Sequence, residues 1–264
     1  MATNKPAKPP TSATIQSFQS ELAYAGNRSA LIKRIDKLRR RLEELDLDEA
    51  DRKLVTIDGR AEKKNFAQRL STAIAQKTAD ALRPEFAGIS PDAEGRGHES
   101  KSAGASGKKK IDVNYSTTTS GLELAVSIKT INFRDEKSGR YTKNTKRVDG
   151  ELRAEAQDCH KRQPYAVLAA YVFLPVDAAS DGKSGPSSLK HSAEVFGARG
   201  GRDTTKNSSS LFELVYIGLY DDQGNVDFFV ADKQVPDRGV PSEIMTFPET
   251  LEQVRNLHRA RNSR

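Results

Sequence analysis

The chain has a single cysteine, Cys159, in 264 residues. That excludes an internal disulfide framework and any CxxC zinc site. It has four histidines, His98, His160, His191 and His258, scattered without an HxxxH or Cys/His cluster, so zinc chemistry finds no support. No apolar run approaches the roughly 20 residues needed to span a bilayer. The N-terminal MATNKPAKPPTSATIQ has no apolar signal core. The expectation is a soluble, cytoplasmic protein without a membrane partner. No GxxxxGK[ST] loop is present to hold ATP phosphates, and no GxSxG supports a serine nucleophile.

What is present is charge. Charged residues are 30% and hydrophobic residues 36%, with a formal net charge of +7 and a pI near 9.4. A basic balance favours polyanionic partners, because each phosphate contact releases counterions.

Residues 1–27 are rich in Pro, Ala, Ser and Thr and read as a loosely ordered arm. Residues 28–60 read as an N-terminal helical segment. Leu31, Ile35, Leu38, Leu42 and Leu45 form one apolar stripe within 29–46, flanked by Lys and Arg. That stripe is suited to packing on the body, to a second copy of the chain or to another protein. The main domain spans 61–246. It opens with a helix over 61–83 whose Phe66, Leu70, Ile74, Thr78 and Leu82 share a face, stopped by Pro84. Residues 90–110 are Gly-, Ser- and Lys-rich and read as a mobile loop ending in Lys108-Lys109-Lys110.

The pattern then changes to strands. Ile111–Tyr115 alternates briefly, and Leu122, Leu124, Val126 and Ile128 alternate with Glu123, Ala125, Ser127 and Lys129, so a hairpin is predicted. Residues 134–148 read as a basic loop, 150–162 as a helix capped by Asp149 with Leu152, Ala156 and Cys159 inward, and 165–174 as a buried central strand. A short helix over 189–197, a basic loop over 198–210 and a hairpin of 211–220 with 226–231 follow. A basic helix or tail covers 247–264. Helices, then strand–strand–helix–strand, predict an α/β domain with a mixed central sheet flanked by helices.

The chemistry concentrates in the first hairpin. Residues two apart on a strand share a face, so Ser127 and Lys129 point one way and Ile128 into the core. A lysine beside a serine at the end of an apolar strand is not a core-packing choice. Pairing of the strands brings Asp112 near Lys129. Phosphodiester hydrolysis asks for a carboxylate to hold Mg²⁺, a metal to stabilise charge and acidify water, and a cation to position that water. Asp112 and Lys129 supply the first and last.

Asp112 followed by Ser127-Ile128-Lys129 on the next strand resembles the signature of the PD-(D/E)XK nuclease superfamily, over roughly residues 61–175. The resemblance implies a mixed sheet with helices on both sides and Mg²⁺-dependent cleavage of DNA, with Mn²⁺ able to substitute. Two positions depart from it: Ile111 replaces a proline, and Ser127 stands where the family carries a carboxylate. Some restriction enzymes with a Ser-x-Lys strand recover that carboxylate from the following helix. Here the helix offers Glu151, Glu155 and Asp158 on one face, and Glu151 and Glu155 are the candidates. Glu123 is a poorer third, being about 20 Å from Lys129 along an extended strand. The implied metal set is Asp112, Glu151 or Glu155, and the peptide carbonyl of Ile128.

Lys108, Lys109, Lys110, Arg134, Arg140, Lys143, Lys146, Arg147, Arg199 and Arg202 are the candidate double-stranded DNA contacts. Two-strand cleavage would ask for a homodimer, and a restriction role for a cognate methyltransferase or defence-complex partner. Two other readings stay open. One is a catalytically inactive DNA-binding protein on the same fold, and the other is an interaction module using the 29–46 stripe.

Overall fold

A computed structural model describes residues 60–262, apart from 105–106, 136, 183–184 and 222–223. The 1–27 arm and the 29–46 leucine stripe lie outside the described residues.

The first helix, α1 (Arg60–Leu82), buries Leu70, Ile74, Thr78 and Leu82, the stripe expected from their spacing. After it come β1 (Ser100–Gly104), β2 (Gly107–Ile111), β3 (Val113–Thr117) and β4 (Gly121–Thr130). Helix α2 (Thr145–Arg162) and strand β5 (Val167–Pro175) follow, then a 3-10 turn, α3 (Ser188–Gly197), β6 (Leu214–Tyr220), β7 (Val226–Val230) and α4 (Phe247–Asn262).

Five strands form one mixed sheet in the order β3-β4-β5-β6-β7. The centre is parallel, β4 with β5 and β5 with β6. The edges are antiparallel hairpins, β3 with β4 and β6 with β7. β5 is buried along its whole length, which is why its sequence reads VLAAYVFLP without alternation. The two parallel connections run through α2 and α3. Right-handed crossovers stepping in one direction place both helices on one face, and the buried clusters bear this out. Leu152 and Ala156 of α2 and Leu189 and Phe196 of α3 pack with Leu168, Val172 and Ile217. On the other face Leu70 and Ile74 of α1 and Leu251 and Val254 of α4 pack with Val126, Tyr171 and Tyr216. The result is three layers, helices over sheet over helices.

Two segments differ from the sequence expectation. Within the 90–110 stretch expected as a loop, Ser100–Gly104 and Gly107–Ile111 form a separate antiparallel pair, β1 with β2. Before the closing Ile111 their residues are Ser, Lys, Ala and Gly, so no alternating apolar signal announced it. Helix α2 starts at Thr145, and its first residues follow Asn144 rather than Asp149. Asp149 sits inside the helix and holds the Arg199 Nε at 2.5 Å. Among the described residues no helix is long and apolar enough to cross a membrane.

Candidate active site

The site forms where β2 hands over to β3. The chain bends at Asp112 between the two strands, and the β3–β4 register sets Val113 against Val126. Asp112 therefore comes beside the Ser127–Ile128 peptide, and its Oδ2 accepts the Ile128 amide hydrogen at 2.7 Å. Ile128 itself is buried among the α1-side residues. Ser127 and Lys129 point to the opposite face, towards α2.

There they meet Glu155. Lys129 Nζ donates to Glu155 Oε2 at 3.1 Å, and Ser127 Oγ donates to the same oxygen at 3.2 Å. The Lys129 and Glu155 side chains are only 18% and 10% exposed, so their attraction is screened far less than that of a surface pair. Glu155 enters the site because it is one turn beyond Glu151 and on the sheet side of α2. Glu151 stands at the rim, paired with Arg147 of the same helix. Of the two glutamates proposed from the sequence, Glu155 is the one brought against Ser127 and Lys129. Glu123 is far down β4, bonded to Thr117 and facing His258 Nε2 at 3.2 Å.

Two carboxylates and one ammonium thus share a secluded spot. Burial raises the pKa of Asp112 to about 6; Lys129 pulls it down, while Glu155 and the more distant Glu99 push it up. Burial works against a charged Lys129, but Glu155 and Asp112 outweigh it and hold its pKa above the ordinary lysine value.

Beside these groups opens a cleft of about 540 Å³, walled by Glu99, Lys110, Asp112 and Lys129 on one side and by Arg147, Gly150, Glu151, Ala154 and Glu155 of α2 on the other. A second hollow of about 330 Å³ lies across Asp112, against Gln68, Ser71 and Thr72 of α1 and His98. Glu99 and Asp112 border both. Glu99 escaped the sequence reading. It belongs to the stretch taken as a loop, adopts φ 51° and pairs with Lys110 at 2.5 Å. No local pattern marks it, because the β1–β2 hairpin is what carries it to the cleft.

The expected DNA contacts separate into two groups. Lys110 and Arg147 are exposed and line the cleft, and Lys146 is exposed one residue before Arg147 on α2. Lys143 is also exposed but pairs with Asp135 at 2.8 Å. The side chains of Lys108 and Lys109 lie outside the described part. Arg202 is a correction: it is 2% exposed, donates to Glu213 at 2.7 Å and to the Pro164 carbonyl at 3.0 Å. Arg134 is bound to Asp177 at 2.6 Å and to the Gly139 carbonyl. Arg140 reaches the Pro186 carbonyl, and Arg199 is bound to Asp149. These arginines tie loops to the body. Composition alone does not distinguish a guanidinium facing solvent from one closing a loop.

Asp112 and Glu155 border the same cleft and offer hard oxygen donors. Among the described residues no group of three His, Cys, Asp or Glu side chains is gathered for a metal ion. A set of two carboxylates suits Mg²⁺, which keeps several waters and is commonly held by one or two carboxylates and substrate phosphate. Comparisons with protein-family models, with curated proteins and with solved structures return no match.

Proposed function

We propose that this chain is a Mg²⁺-dependent endonuclease that hydrolyses phosphodiester bonds in double-stranded DNA, of the restriction or phage-defence type, on a restriction-endonuclease-like form of the α/β fold. The observation that carries the reading is the convergence on Glu155. A serine and a lysine two apart on β4 share one oxygen of a glutamate from the next helix, and the peptide between them anchors Asp112. A catalytic carboxylate displaced from the strand to the helix would leave this arrangement.

In this reading Asp112 and Glu155 would hold Mg²⁺, which when bound would polarise the phosphodiester and lower the pKa of a water. Lys129 has three N–H donors and spends one on Glu155. The others are available to orient the attacking water or a phosphate oxygen in a low-dielectric setting, where such donors act most strongly. Ser127 fixes the rotamer of Glu155. Asp112, with a pKa near 6, is largely ionised at neutral pH.

The test is cleavage of plasmid and phage DNA by purified protein, with Mg²⁺, Mn²⁺ and EDTA in parallel. Metal-dependent products lost in Asp112→Ala, Lys129→Ala and Glu155→Gln are expected. Intact DNA under every condition, with binding indifferent to EDTA, would instead favour a binding protein in which Ser127 marks a lost catalytic carboxylate.

A further inference from the structure

We propose that the outward face of α2 is a track for DNA phosphates leading into the Asp112–Glu155 cleft. It rests on the nuclease reading for its destination, but not for its chemistry. Lys146, Arg153 and Lys161 are all exposed on α2. They are seven and eight residues apart, so at about 100° per residue they fall within one sector of roughly 80°. The rise of about 1.5 Å per residue sets them about 10 and 12 Å apart along a straight rod.

The cleft wall of the same helix overlaps this sector. Gly150, which falls inside it, and Ala154, about 20° beyond Lys161 towards Glu151 and Glu155, both line the cleft. Neither projects far enough to hold a backbone away. A polyanion lying along the cations therefore has its nearest groups at the mouth of the cleft.

These cations are also unspent. Among the described residues no carboxylate is paired with Lys146, Arg153 or Lys161. Arg134, Arg199, Arg202 and Arg261, by contrast, each close an internal ion pair. The exposed lysines Lys137, Lys206 and Lys233 stand singly on loops. Duplex DNA carries one charge per about 1.7 Å of axis, so a straight row of spaced cations meets phosphates all along its length. An acidic peptide would ask for no such straightness and no continuity with the cleft.

The experiment measures affinity for a fluorescent duplex by anisotropy across a series of KCl concentrations in EDTA, where no cleavage occurs. The full-length chain is compared with the triple variant Lys146→Ala/Arg153→Ala/Lys161→Ala and with Lys137→Ala/Lys206→Ala/Lys233→Ala, which removes equal charge elsewhere. Each lost phosphate contact lowers the slope of log affinity against log salt by about 0.9. The track variant should therefore lose about 2.7 in slope, with an unchanged melting temperature, and the loop variant less than about 1. Equal losses in both variants, no loss in the track variant, or no DNA binding by the parent chain would overturn the proposal. So would displacement of DNA by polyglutamate as readily as by unlabelled duplex. A parent chain that binds along α2 but never cleaves would leave the track standing and sink the nuclease reading. Cleavage with an unaltered slope in the track variant would do the reverse.

Discussion

The carboxylate of Asp112 reaches across from the β2–β3 bend and takes the amide hydrogen of Ile128 at 2.7 Å. This bond fixes a group that the surroundings make costly to ionise. Burial lifts the Asp112 pKa from 3.8 to about 6, so the folded state favours the protonated acid more than the unfolded chain does. The contribution of Asp112 to stability is therefore fullest below about pH 4, declines as pH rises towards 6, and stays reduced above it, by up to about 3 kcal/mol. Asp112→Asn removes the penalty and keeps an acceptor for Ile128. In EDTA the variant should be up to about 3 kcal/mol more stable than the parent near pH 8, with the gain gone near pH 4, while cleavage is lost. Urea denaturation at the two pH values checks this, and a gain independent of pH would contradict it.

Glu155 and Glu151 should separate cleanly. Glu155→Gln removes the carboxylate held by Ser127 and Lys129 and should lower cleavage by about 100-fold or more. Glu151→Gln loses a half-exposed pair with Arg147 and should stay within a few-fold. Single-turnover rates on one substrate decide it; the reverse order would move the site to the rim.

Lys129→Ala leaves Glu155 secluded without its cation and should cost about 1–3 kcal/mol in stability. A double-mutant cycle with Glu155→Ala should show coupling of about 0.5–3 kcal/mol. Additive effects would mean that the two groups do not meet.

Glu213 is the hub of a buried charge cluster. It accepts from Arg202, Arg261 and the Leu168 amide and faces His160 Nε2 at 3.3 Å. Burial alone would raise its pKa, but His160, Leu168 and Arg261 hold it below the usual glutamate value. Glu213→Ala strands buried cations and should cost about 3–5 kcal/mol. Arg202→Ala should likewise lower the melting temperature without altering DNA affinity of the folded protein. A changed salt slope in Arg202→Ala would restore it as a DNA contact.

A fourth structural test lies in the aromatic core. A Cβ on Gly218 of β6 would meet Phe228 at 3.0 Å and Phe173 at 3.1 Å, both in the cluster under α4. Gly218→Ala should cost about 1–3 kcal/mol by overpacking, measured by thermal denaturation; a neutral result would show that the rings can yield.

The sheet centre was legible because burial on two faces demands an uninterrupted apolar strand, as in Val167–Pro175. The hairpin of Asp112 and Lys129 was legible from alternation. The start of α2 was missed although Val148 stands four residues before Leu152 and shares its buried face; the basic residues around it obscured the periodicity. The β1–β2 hairpin carries no apolar pattern, so Glu99 could not be placed before the fold was known. Likewise, nothing local separates Arg202 from Arg147: one meets a buried glutamate just before β6, the other a glutamate one turn away on its own helix.

Helix α4 binds the beginning of the described fold to its end. Arg255 donates to the Ala81 carbonyl at the close of α1, and Arg259 grips Glu85 just beyond it. Contacts across 174 residues of sequence place a heavy loop-closure demand on folding, and such topologies fold slowly. Until α4 emerges from the ribosome, the face that later receives Leu251 and Val254 stays open to water. Over that interval the growing chain carries exposed apolar surface, which makes it a natural client for chaperones.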